Sequence, residues 1–180
     1  MNPTYRMLLQ QADELTKNVP HLISNLANIS ALLYSSLENI NWAGFYLISV
    51  NSQSANDSQS EKPDHVPTDN IPGVNTISEK PLLILGPFQG NPACIEIPFG
   101  KGVCGTAAAE DKTQLVPDVH LFPGHIACDS ASRSEIVIPI HKDGRVFCVL
   151  DIDSPLPGRF TGEDQIGLES LVRLLERNLF

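Results

Sequence analysis

Two alternating segments near the end of the chain constrain the fold most. Ser134 to Ile140 and Val146 to Asp153 flank Asp143-Gly144, a pair that favours tight reversal between antiparallel strands. Side chains alternate between faces along a strand. Ile136, Ile138 and Ile140 therefore share one face, with Glu135, Val137 and Pro139 opposite. Val146, Cys148, Leu150 and Ile152 form an apolar face, and Phe147, Val149, Asp151 and Asp153 lie behind it. A two-residue turn pairs Ile136 with Asp151 and mixes the faces. A three-residue loop, Lys142-Asp143-Gly144, pairs Glu135 with Asp151 and keeps every isoleucine on the core side. That loop is the expected connection. It gathers Glu135, Asp151 and Asp153 on one patch. Their repulsion predicts at least one carboxyl that stays protonated near neutrality, an acid usable in catalysis. Phe147 and Val149 need cover on that face, which the connection over 118–133 is placed to give.

The flanking segments supply the rest of an α+β fold. Helices are expected over 4–17 and 21–37, the second with Pro20 in its first turn and with Leu22, Ile23, Leu26, Ile29, Leu33 and Leu37 at helical spacing. Asn41 to Val50 reads as a strand with Trp42, Gly44, Tyr46 and Ile48 on one face. Further strands are expected at 82–85, 93–99 and 114–116, and a short helix over 106–110. Thr161-Gly-Glu-Asp resembles a capping box and opens a last helix carrying Ile166, Leu168, Leu171, Leu174 and Leu175. The prediction is a central antiparallel sheet, with the N- and C-terminal helices on one face and a ligand pocket on the other. Residues 51–80 are rich in Ser, Asn and Pro without periodicity. They read as a polar, mobile insertion loop in one domain spanning 1–180.

The formal net charge of −9 argues against general nucleic-acid binding. No apolar run approaches the roughly 18 residues of a membrane span. The first residues, Met1-Asn-Pro-Thr-Tyr-Arg, do not resemble a signal peptide. A cytoplasmic protein is therefore expected, with the nucleus as the alternative, and in that setting its four cysteines read as thiols before structural disulfides. Cys148, on the apolar strand face, reads as core. Cys104 opens a helix one turn from Lys101, and both features favour thiolate. Cys128 has His125 nearby to assist deprotonation.

Two rival motifs are weaker. His120, His125 and Cys128 form an H-x4-H-x2-C cluster, but no C-x-x-C accompanies it, so no metal is expected. Gly100, Gly102 and Gly105 match G-x-G-x-x-G, yet the chain continues into an antiparallel hairpin instead of repeated βαβ units. A tight turn carrying Cys104 accounts for these glycines more simply.

Several segments together resemble the free methionine-R-sulfoxide reductases, a family built on the GAF fold. They are Asn41-Trp-Ala-Gly-Phe-Tyr46, Leu85-Gly-Pro-Phe-Gln-Gly90, Gly100-Lys-Gly-Val-Cys-Gly105, Pro123-Gly-His-Ile-Ala-Cys-Asp129, Ser134-Glu-Ile-Val-Ile-Pro139 and Asp151-Ile-Asp153. The likeness covers 21–50 and 81–180. It implies reduction of free methionine-R-sulfoxide, with thioredoxin restoring the thiols and no cofactor. It also implies Cys128 as nucleophile, with Cys94 and Cys104 as the resolving candidates. The residues alone favour Cys104 as the activated thiol. Glu135 and Asp153 are the expected acids and Asp151 the partner of the substrate ammonium. Trp42 and Tyr46 are placed to hold the S-methyl group, with Ile126 and Ala127 beside them. Monomer and homodimer both remain open. The alternative is a GAF-type sensor of a small molecule or of redox state. The absence of an attached output segment favours a self-contained enzyme.

Overall fold

The computed structural model describes residues 2–49, 81–126 and 130–180. The loop expected over 51–80 lies outside the described residues. In chain order the elements are α1 (Pro3–Thr16), α2 (Leu22–Ser36), β1 (Trp42–Ser49), β2 (Leu82–Gly90), β3 (Glu96–Pro98), α3 (Gly102–Glu110), β4 (Gln114–Val116), a 3-10 turn (Val119–Leu121), β5 (Ser134–Lys142), β6 (Arg145–Ser154) and α4 (Gly162–Leu179).

Local chemistry starts and stops the helices. The Asn2 side chain accepts from the Thr4 N–H at 2.9 Å, and Pro3 occupies the first turn of α1. In α2 the cap is His21, so Pro20 lies just before the helix and not in its first turn. Thr161 and Asp164 cap α4 reciprocally. The Thr161 Oγ1 accepts from the Asp164 N–H, and the Asp164 carboxylate accepts from the Thr161 N–H at 2.8 Å. Ile23 and Ile166, expected to face the core, are exposed.

The sheet has the order β3-β2-β1-β6-β5-β4, with every paired neighbour antiparallel. One face buries Ala43, Phe45, Ile136, Ile138, Ile140, Cys148, Leu150 and Ile152 under α1, α2 and α4. The other face carries Trp42, Tyr46, Val137 and Val149, which meet Val103, Cys104, Ala107 and Ala108 of α3. The two-sided arrangement read from the sequence is therefore present. The cover over the second face differs. It includes α3, which starts at Gly102, four residues earlier than expected.

The β5–β6 connection is also corrected. Asp143 and Gly144, with φ of 53° and 72°, form a two-residue turn between paired Lys142 and Arg145. Two successive left-handed residues match the twist of a hairpin. Parity is restored further along: His141 pairs with Val146 and Ile140 with Cys148, leaving Phe147 as a bulged extra residue. Glu135 consequently faces Asp153, and Val137 faces Asp151. Phe147 turns to the helix side, edge-on to Phe180 with ring centroids 5.0 Å apart. Val146 packs on the opposite side. The alternation argument holds from Cys148 onward and for the isoleucines, but the bulge exchanges the faces expected for Val146 and Phe147.

Candidate active site

Four parts of the fold converge on one cavity. β1 contributes Trp42 and Tyr46, and α3 contributes Gly102, Val103 and Cys104. The hairpin contributes Glu135, Asp151 and Asp153, and Ala93 and Ile126 come from connections. The enclosed space is about 30 Å³, on the order of one or two waters. Ile126 packs 3.4 Å from where a Cβ would stand on Gly102.

The aromatic wall is layered. Trp42 stacks on Tyr46 with centroids 5.9 Å apart and on Phe88 at 5.3 Å. Gly44 makes this possible, since a Cβ there would come within 2.6 Å of the Trp42 ring. The polar ends of both rings reach the link between β2 and β3. The Trp42 indole N–H donates to the Asn91 carbonyl at 3.2 Å, and the Tyr46 hydroxyl donates to the Cys94 carbonyl at 3.0 Å.

Beside it lies the acid cluster, because Asp151 and Asp153 of β6 pair with Gly44 and Trp42 of β1. Cys104, Glu135 and Asp151 are all buried. The Cys104 thiol donates to Asp151 Oδ2 at 3.2 Å and approaches Glu135 Oε1 at 3.9 Å. Burial raises the Glu135 carboxyl well above the usual range, and the Asp151 charge adds to the rise. Burial pushes Asp151 up to about 7. The two titrate as a pair, so the cluster keeps a proton near neutrality. A protonated carboxyl was expected from mutual repulsion, but desolvation is the larger cause. Among the described residues, Asp151 Oδ1 is buried without a hydrogen-bond partner.

The thiolate expected at Cys104 is overturned. Burial raises its pKa, and the Asp151 and Glu135 charges raise it further. A helix N-terminus and Lys101 do not offset a dry site with two carboxyls. Cys94 is disulfide-bonded, whereas Cys104 and Cys148 are free. Cys148 lies in the helix-side core as expected, its thiol pushed up to about 12 by burial. Cys128 and Ala127 lie outside the described residues. His125 lines the cavity. Burial lowers its pKa, with nearby His120 adding to this, so its imidazole is neutral at pH 7 and able to accept a proton.

Among the described residues, the ligating atoms that converge within 4.8 Å belong to Cys104, Glu135 and Asp151, not to the His120 and His125 pair. The glycine motif is a turn only at Gly100; Gly102, Cys104 and Gly105 lie in α3, so the turn expected to carry Cys104 is a helix start. Gly100 and Gly102 have φ of 78° and 61°, and the Gly100 N–H donates to the Gly105 carbonyl at 2.8 Å. Sequence reasoning missed Ser132, buried in the lining and held by the Asn41 amide at 3.1 Å. It also missed Phe88 behind Trp42. The strand expected over 82–85 stops short of Phe88, whereas β2 runs Leu82–Gly90.

The GAF domain model matches residues 21–179. The free methionine-R-sulfoxide reductase of Escherichia coli is 44% identical over 99% of this chain and 92% of its own length. The reduced form of the fRMsr of Staphylococcus aureus superposes with a TM-score of 0.80 and 46% identity, covering 99% of this chain and 97% of that one. The free methionine-R-sulfoxide reductase of Neisseria meningitidis, in complex with its substrate, gives a TM-score of 0.78 and 36% identity over 99% and 90% of the two chains. With its pocket on one face of the sheet and its helices on the other, the chain belongs to the free methionine-R-sulfoxide reductase family and carries the GAF fold.

Proposed function

We propose that this chain reduces free methionine-R-sulfoxide to methionine as a single GAF domain, through a cysteine sulfenic acid and a disulfide that thioredoxin reduces. One observation carries this reading: the disulfide-bonded Cys94 is tied by hydrogen bond to the wall of a cavity in which an acid pair with raised pKa values lies beside stacked aromatics.

The roles follow from the chemistry. The Cys128 thiolate attacks the sulfoxide sulfur while a carboxylic acid protonates the departing oxygen. Glu135 and Asp153 serve that end of the cavity. Oxygen leaves on Cys128 as sulfenic acid, and methionine is released. The Cys94 thiol then attacks the sulfenic sulfur, water leaves, and a disulfide forms. Cys104, a neutral thiol on Asp151, is the less suited resolving group. The unpartnered Asp151 Oδ1 suits the substrate ammonium, and the Trp42 and Tyr46 rings suit the S-methyl group.

Incubation with mixed free methionine sulfoxides and dithiothreitol tests the reading. The R isomer should disappear and the S isomer persist. Survival of both would sink the reductase and leave a ligand-binding GAF sensor. In a Cys128→Ser variant no sulfenic acid should form. Retained single-turnover reduction would move the nucleophile elsewhere.

A further inference from the structure

We propose that Tyr46 is a positioning residue for disulfide closure, holding the Cys94 backbone through its hydroxyl. The inference rests on Cys94 as the resolving thiol. The link between β2 and β3 is pinned from the pocket side. The Trp42 indole N–H holds the Asn91 carbonyl at 3.2 Å, the Tyr46 hydroxyl holds the Cys94 carbonyl at 3.0 Å, and the Leu85 N–H holds the Ile95 carbonyl at 2.9 Å. Tyr46 is 1% exposed and Trp42 2%, so neither donor swings freely in solvent. Of the three bonds, the Tyr46 bond falls on the cysteine itself.

Removing that hydroxyl takes away the bond that ties the Cys94 carbonyl to the pocket wall. The carbonyl turns toward water and carries the Cys94 Cα and Sγ with it. Closure needs Sγ at bonding distance from the sulfenic sulfur, and a displacement of about 1 Å can cost on the order of 10²-fold in such a reaction. The wall that forms the substrate pocket thereby also sets the geometry of the second step. In that step the Cys94 thiol forms the S–S bond, the sulfenic S–O bond breaks, and the oxygen leaves as water with the thiol proton.

The test reads the partition between sulfenic acid and disulfide, which does not depend on how tightly substrate binds. Reduced wild type and Tyr46→Phe are oxidised with hydrogen peroxide, which converts a cysteine thiol to sulfenic acid and water. Dimedone trapping and free-thiol counting then follow closure. In Tyr46→Phe the trappable sulfenic acid should persist at least tenfold longer, and amide exchange over residues 93–96 should accelerate. Closure at the wild-type rate overturns the inference. If Tyr46→Phe does not fold, Tyr46→Met, which also lacks the hydroxyl, should shift the partition in the same direction, and an unchanged partition there overturns the inference. A wild type that releases no methionine from free methionine-R-sulfoxide, yet shows the slowed peroxide-driven closure in the variant, refutes the reductase reading and leaves this inference standing.

Discussion

Asp151 shows how one side chain's environment sets its chemistry. Its carboxyl titrates near 4 in an unfolded chain and is pushed up to about 7 in the fold by burial. The folded state therefore binds more protons than the unfolded state between about pH 4 and pH 7, and stability falls as pH rises through that window. Asp151→Asn removes this slope. Thermal unfolding should show the variant gaining on wild type as the pH is raised from 5 to 8. Parallel pH profiles would mean that Asp151 is ionised in the native protein. Cys104 makes the same point from the other direction. Its sequence neighbours, Lys101 and a helix start, argue for thiolate. Its spatial neighbours, Asp151 and Glu135, keep the proton on sulfur.

At the scale of elements, β1 joins the core to the pocket. Its alternation sends Ala43 and Phe45 to the helices and Trp42 and Tyr46 to the cavity, as the sequence predicts. Gly44 lies between the rings because no side chain fits there. A Gly44→Ala substitution forces the Trp42 ring or β2 to shift, and strain of this kind costs about 1–3 kcal/mol. Denaturant unfolding should register that loss, and tryptophan fluorescence should report the disturbed stack. The β5–β6 hairpin was legible in its turn residues and its faces. Its bulge was not. Phe147, out of the register, sets its ring edge-on to Phe180 at the far end of the chain. No local pattern contains that contact.

Across the whole molecule, His141 links the two layers at the sheet edge. Its Nδ1 lies 2.7 Å from Glu176 on α4, and its Nε2 lies 2.7 Å from Asp111 at the end of α3. Burial works against its charge, but the hydrogen bonds and charges of Glu176 and Asp111 outweigh it and raise its pKa. The stabilisation is present below the ordinary histidine range and is lost as pH rises through the raised value. His141→Gln should therefore lower the melting temperature more at pH 6 than at pH 9. An equal loss at both would reduce the contact to packing.

The sequence by itself determined what alternation and capping can determine. It gave the two-faced sheet, the isoleucine core with Cys148 inside it, the Thr161 cap, the shared face of Trp42 and Tyr46, and the gathering of Glu135, Asp151 and Asp153. These follow from strand and helix periods, which are local. Only the tertiary structure decided the register of Glu135 against Asp153, the placement of α3 over the pocket, and the protonation of the cluster. Cys104 meets Glu135 and Asp151 across 31 and 47 residues of chain. Desolvation depends on everything packed around a group, and no window of sequence contains its own surroundings.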